Sequence, residues 1–339
     1  MDRSSNREGM PVGLGRIEKW AIGGAVAFAV VAIIAGILAG GPEALHQLGR
    51  IGPGVALALL GLSLINYLAR TVRWLIFTRG AGLSVPAGQN GLYYMAGLAM
   101  STTPGKLGEA VRLWFLRRGH GYPYERTAGL MIADRLSDAA AAVLLTIAGL
   151  GGVFAGHGMA IAIGAVVVGG ASIVLLAPRW SLPIVNLAYR IVGRAPRLFG
   201  RVRRMLLHAG RLGSPGLYLG GLVLALIGWG AEAYALKVLL DVFGADVTML
   251  QAAFVFCFAM LVGAAAMLPG GLGGTEVSMF GLLVALGVQA DVAVAATAVI
   301  RVTTLWFAVL LGFIALPIAT RMMRADEAAG HGVAAGGAA

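Results

Sequence analysis

The chain is patterned as a series of long apolar runs separated by short basic stretches, with polar positions rare inside the runs. Trp20 to Gly40 is a run of 21 residues without a charge, preceded by Arg16 and Lys19. Ile51 to Ala69 is followed at once by Arg70 and Arg73. Thr127 to Leu150 is apolar except for Asp134, Arg135 and Asp138, and further runs cover Met159 to Ala177, Pro215 to Leu236 and Val292 to Thr320. Runs of this length match the ~20 residues that an α-helix needs to cross a bilayer. Two segments break the pattern. Gly80 to Gly105 is unusually polar and ends in Pro104-Gly105. Val247 to Ala290 is interrupted by Pro269-Gly270-Gly271. The pattern predicts an all-α polytopic membrane protein with six full crossings, at about residues 20–40, 51–72, 127–150, 159–177, 215–237 and 292–319, and two re-entrant segments.

Composition supports lipid as the main solvent. Apolar residues make up 59% and charged residues only 12%, about half the share of charge in an average soluble protein. The net charge of +11 fits basic loops on the cytoplasmic side better than a nucleic-acid partner. With the N-terminus inside and both broken segments returning to the face they enter, 22 of 26 basic residues fall on the cytoplasmic side. The expected arrangement is a cytoplasmic 1–19, one membrane domain over 20–320 with halves 20–177 and 215–320, and a basic amphipathic cytoplasmic connector at 178–214. A disordered cytoplasmic tail is expected over 321–339, and the location expected is the bacterial inner membrane, with both termini cytoplasmic.

The two breaks resemble each other. One reads Pro104-Gly105-Lys106-Leu107-Gly108-Glu109 and the other Pro269-Gly270-Gly271-Leu272-Gly273-Gly274-Thr275-Glu276. Arg135 follows Glu109 by 26 residues, and Arg301 follows Glu276 by 25. Three crossings between the copies turn them upside down relative to each other, the inverted-repeat plan of many transporters. Glycine and proline leave backbone groups unpaired, which membrane depth tolerates only inside protein or against water. Each arginine lies roughly 12–14 Å into its span, near the centre of a ~30 Å hydrocarbon core, where a charge is by default a functional candidate. Asp134 and Asp138 share a helix face, with Arg135 placed to pair with Asp138 at i, i+3. The candidate headgroup-binding set is therefore Arg135, Arg301, Glu109, Glu276, Asp134, Asp138 and Arg112. The break motifs are Pro104, Gly105, Gly108, Pro269, Gly270 and Gly273, and Gly36 and Gly312 are expected to face lipid. The competing reading of the charged set is a structural ion pair that locks two helices.

Other chemistries lack their residues. The lone cysteine, Cys257, excludes an internal disulfide and any cysteine cluster, and the five histidines are scattered. The stretch before Gly105-Lys106 lacks the first glycine of a phosphate-binding loop, and Leu107 stands where Ser or Thr is needed. No metal, cofactor or enzymatic activity is expected, and any driving force would be a lipid gradient or the membrane potential.

The segments TPGKLGEAVR at 103–112, ADRLSD at 133–138 and LPGGLGGTEVSMFGLL at 268–283, with an arginine in the last span, resemble the membrane region of the lysylphosphatidylglycerol synthase (multiple peptide resistance factor) family. The likeness extends over about 20–320 and matches the stand-alone form without the synthetase domain. It implies a flippase-like protein that moves an anionic or modified envelope lipid; stand-alone relatives are associated with cell-envelope lipids, including hopanoid pathways and glycosylated polyprenyl lipids. Membrane lipids are the implied partners, with lipid-biosynthesis enzymes as further candidates, and a homodimer is compatible with this reading. The alternatives are a non-transporting scaffold for such enzymes or a membrane-embedded lipid transferase.

Overall fold

A computed structural model of the chain describes residues 46–103, 107–153, 215–266 and 268–336, with four isolated positions at 183, 186, 187 and 190. The expected crossings at 20–40 and 159–177 and nearly all of the 178–214 connector lie outside the described residues, as do Pro104 and Gly105. Every regular element among the described residues is helical.

Helix α1 spans Pro53–Gly80, with proline at its first turn, where no N–H partner is needed. Helix α2, Ala87–Gly97, continues through a 3-10 turn, Leu98–Met100, and α3, Leu107–His120, packs back along it. Tyr93 stacks on Phe115 at 4.6 Å in that hairpin. Helix α4 is Tyr124–Val153 and α5 is Pro215–Val242. Gly244, at φ +78°, ends α5, and the Ala245 N–H returns to the Leu240 carbonyl at 2.9 Å. Helix α6, Met249–Ala265, starts on a reciprocal cap between Thr248 and Gln251. A 3-10 turn, Pro269–Gly271, leads to α7, Gly274–Ala285, which packs against α6 as the second hairpin. Helix α8, Ala290–Arg301, passes through a π turn, Val302–Trp306, into α9, Phe307–Gly336.

Three of these stretches are long and apolar enough to cross a membrane: Pro53–Gly80, Gly216–Val242 and Ala290–Glu327. Their polarity is inverted relative to a water-soluble helix. On α1, Ser63, Asn66, Tyr67, Arg73 and Thr78 are buried, while Leu57, Leu64, Leu68 and Val72 are exposed. Leu310 and Ile314 on α9 and Val223 and Ile227 on α5 are exposed in the same way. An apolar exterior over a polar interior stripe is the arrangement lipid favours, because polar groups find partners only inside the bundle. The interior has two packed clusters. One is aliphatic, with Leu59, Leu236, Leu239, Met279, Leu283 and Ile300. The other is aromatic, with Tyr67, Trp74, Phe77, Tyr93, Tyr94 and Phe115.

Three expectations change. Helix α1 does not stop near residue 72, where the expected crossing of about 51–72 ends. It runs on to Gly80, and Arg73 is fully buried, so Arg70 and Arg73 belong to the interior and not to a cytoplasmic loop. The described part of the expected disordered tail, through Gly336, continues α9 as helix. Its start is tied to the first hairpin: Gln89 donates to Asp326, and Arg118 Nε donates to Glu327 Oε1 at 2.5 Å. Finally, Gly312 does not face lipid. It is buried where α9 crosses the Leu98–Met100 turn, and a Cβ there would lie 2.0 Å from the Ala99 backbone nitrogen.

Candidate functional site

Three helices deliver charge to one place. From α4 come Asp134, Arg135 and Asp138, one turn apart on a single face. Arg70 and Arg73, three residues apart, come from α1, and Arg112 comes from α3. Arg73 bridges the two acids. Its Nε and Nη2 donate to Asp134 Oδ1 at 2.9 and 2.6 Å, and Nη2 also reaches Asp138 Oδ1 at 2.8 Å. Arg70 donates to Asp138, and Arg135 Nη2 lies 2.9 Å from both Asp134 Oδ2 and Asp138 Oδ2. The i, i+3 pair expected of Arg135 and Asp138 is thus present. Arg112 is 3.4 Å from Asp134 Oδ2 and lies over the Tyr94 ring at 3.8 Å, a cation–π contact. Trp229 on α5 donates its Nε1–H to Asp138 at 3.3 Å.

Four guanidinium groups therefore surround two carboxylates, an excess of two positive charges away from water. Arg70 Nε, Arg73 Nη1 and Arg112 Nε are buried and have no hydrogen-bond partner among the described residues. Such donors cost about 1–3 kcal/mol each when left unmet, and more on a charged group.

The second charged centre is smaller and closed on itself. Arg301, at the end of α8, donates Nε to Glu276 Oε1 at 2.6 Å and Nη2 to the Gly270 carbonyl at 2.8 Å. Glu276 uses its other oxygen to accept the Gly273 N–H at 2.6 Å, capping α7. Gly270 has φ +61°, a backbone that favours glycine, and this turn aims its carbonyl at the arginine. Gly263 lets α6 approach the tip so closely that a Cβ would sit 1.9 Å from Thr275 Oγ1. Immediately after Arg301 the π turn widens the helix, and Tyr67 from α1 donates to the Thr304 carbonyl there. Single π turns of this kind recur at functional sites.

Both centres open on one cavity of about 500 Å³. Arg70, Arg112, Arg135 and Asp138 line it from one side, with Gly270, Thr275 and Arg301 from the other and Trp229 and Glu232 between. Ala139, Ala264 and Leu268 line it and are also exposed, so the cavity reaches the surface of the bundle. Of the expected site residues, Arg112, Arg135, Asp138, Arg301 and Gly270 line the cavity. Asp134 lies behind it, and Glu276 and Gly273 hold the second tip. Pro269 begins that tip. Gly108 falls in the first turn of α3, and the Glu109 side chain lies outside the described part.

Sequence reasoning missed Arg70, Arg73, Glu232 and Asn66. Glu232 carried a legible signal, a lone carboxylate inside a span. The three-residue spacing of Arg70 and Arg73 suits one helix face but reads equally well as a basic loop. Asn66 carried none.

Comparison with known proteins now decides the family. The profile of the lysylphosphatidylglycerol synthase TM region matches residues 20–312. The chain belongs to that family. A UPF0104 membrane protein of Methanothermobacter thermautotrophicus is 28% identical over 321 residues, covering 86% of this chain and 94% of its own length. A UPF0104 membrane protein of Pyrococcus horikoshii is 25% identical over 293 residues, covering 76% of this chain and 84% of its own. The lysylphosphatidylglycerol synthase TM match takes in every residue that lines the cavity.

Proposed function

We propose that this protein moves an anionic or modified envelope lipid between membrane leaflets, with the headgroup passing through the cavity and the acyl chains staying in lipid. The observation that carries this reading is the set of arginines, Arg70, Arg112, Arg135 and Arg301, that lines a cavity in a bundle with apolar, membrane-length helices. Arginine offers a planar fork that matches a phosphate oxygen pair, and a headgroup phosphate in the cavity would meet the guanidinium groups of Arg70 and Arg112. Asp134 and Asp138 moderate that affinity, so the anion can leave again. In this reading the chain makes six crossings with two re-entrant hairpins as an inverted pair, sits in the inner membrane with both ends inside, and performs no covalent chemistry. The hairpin tips would flank the passage, and lipids would be its partners.

The test is reconstitution. Vesicles carrying fluorescent phosphatidylglycerol are treated with dithionite, which quenches only the outer leaflet. The wild-type protein should expose inner-leaflet label far faster than protein-free vesicles. Arg112→Gln should slow this roughly 10–100-fold, the kinetic equivalent of one lost charge-assisted contact. A wild-type rate equal to that of protein-free vesicles would remove the translocase reading and leave the scaffold.

A further inference from the structure

The arginine cluster leaves one buried acid without a cation in contact. Glu232 lies within α5, is 5% exposed and lines the cavity. Its one hydrogen bond among the described residues comes from Asn66 Nδ2 of α1 at 2.5 Å. The other carboxylates at the site all meet guanidinium groups: Asp134 and Asp138 share four arginines, and Glu276 holds Arg301. Glu232 makes no ion pair among the described residues. Titratable and charged groups surround it among the described residues. Tyr67 and Arg70 come from α1, Asp138 from α4, the Cys257 thiol from α6 and Arg301 from α8.

An ionised carboxylate shut away from water without a cation is costly, and taking up a proton removes that cost. An amide is a suitable partner for an acid in either state. Its N–H donates to a carboxylate, and its oxygen accepts from a carboxylic acid. Among the described residues, Asn66 Oδ1 is buried with no hydrogen-bond partner. Acceptor capacity for an added proton therefore lies next to the acid.

We propose that Glu232 is a proton-binding site that couples headgroup entry to proton uptake, so that an anionic lipid and a proton cross together. This rests on the translocase reading above. A phosphate held by Arg70 and Arg112 puts a second negative charge in the cavity that Glu232 lines. Like charges in a confined low-dielectric space disfavour each other, so anion binding favours the protonated acid. By reciprocity the protonated acid favours anion binding. The balance is simple. One proton adds to a Glu232 carboxylate oxygen on loading and leaves on release, no other bond changes, and the monoanionic lipid plus its proton crosses without net charge. A proton gradient then drives the lipid from the acidic toward the alkaline face.

The experiment uses the full-length protein in phosphatidylcholine vesicles with trace fluorescent phosphatidylglycerol and the membrane potential clamped. The pH gradient is set acid-inside or acid-outside. The expected result is that dithionite-accessible label shifts away from the acidic face in both cases and stays even at symmetric pH. A second readout needs no transport. Adding phosphatidylglycerol to the detergent-solubilised protein, weakly buffered with an indicator dye, should produce proton uptake approaching one per chain. Glu232→Gln should take up none, and Glu232→Asp, which keeps an acid, should restore part of it. Fast translocation with the same final distribution in both gradients would overturn the coupling and leave the translocase standing. Equal proton uptake by wild type and Glu232→Gln would overturn Glu232 as the site. No translocation above protein-free vesicles would take down the translocase reading and the coupling together.

Discussion

Arg135 and Arg301 hold matching places in the chain, each about 25 residues after the glutamate that follows a glycine-rich break, yet they sit in different chemistry. Arg135 belongs to a group of four arginines around two aspartates, with buried donors left over on its neighbours Arg70, Arg73 and Arg112. Arg301 is spent on its own hairpin, holding Glu276 and the Gly270 carbonyl, and Glu276 in turn caps α7. The first centre has positive charge to offer an anion. The second is a latch that fixes a helix tip against the cavity. Similar sequence spacing does not make two sites equivalent, because the partners that decide a cation's role come from elsewhere in the fold. Arg70, Arg73 and Arg112 reach Asp134 and Asp138 from α1 and α3, and the second centre has no counterpart to them among the described residues.

The strongest way to break this contrast is to remove an acid from each centre. Asp134→Asn leaves the fully buried Arg73 with half its pairing and should destabilise the protein by roughly 3–5 kcal/mol. Glu276→Gln removes the charge of a partly exposed latch, and about 1–2 kcal/mol is expected. Denaturant unfolding in detergent reads both, and the reverse ranking would refute the assignment of cluster and latch.

Packing glycines give the next effect. Gly312→Ala would drive a methyl into the Ala99 backbone, which cannot rotate away, and should cost about 1–3 kcal/mol or more. Gly263→Ala meets the Thr275 hydroxyl first, a side chain that can turn, so it should cost less. Thermal unfolding of the pair checks the order, and a neutral Gly312→Ala would mean that α9 does not cross the first hairpin so closely.

Backbone conformation should matter less again. Gly270→Ala forces a side chain into a left-handed backbone, a cost of roughly 1–2 kcal/mol, and turns the carbonyl that Arg301 holds. As the counterpart, Gly61→Ala lies within α1 with open space around its Cβ and should stabilise by about 0.5–1 kcal/mol. Equal stability of the two variants would show that the turn at Gly270 relaxes freely and is no latch.

Much of the site was legible beforehand. Arg135, Arg301, Asp134 and Asp138 stood out because a charge inside an apolar run is rare, and the glycine-rich break at 269–274 announced a backbone that no continuous helix could hold. Arg70 and Arg73 were hidden by the same logic. At the end of an apolar run a basic pair reads as a loop, and nothing local says that two aspartates from α4 will draw it inside. Glu232 was visible as a residue but not as an acid without a cation, since that depends on which arginines the fold spends on other partners.

The sequence by itself determined that the chain is helical, that lipid is its main solvent, and where its helices cannot run straight. These follow from local content: the length of apolar runs, the backbone demands of glycine and proline, and the cost of charge in hydrocarbon. Only the tertiary structure decided that α1 carries its arginines inward, that Arg301 closes on its own tip while the other cluster keeps donors to spare, and that Gly312 is a contact point and not a lipid-facing residue. Those outcomes depend on pairings between helices tens to hundreds of residues apart, such as Asn66 with Glu232. Charge and close packing are settled by the partner, and the partner is fixed only when the helices meet.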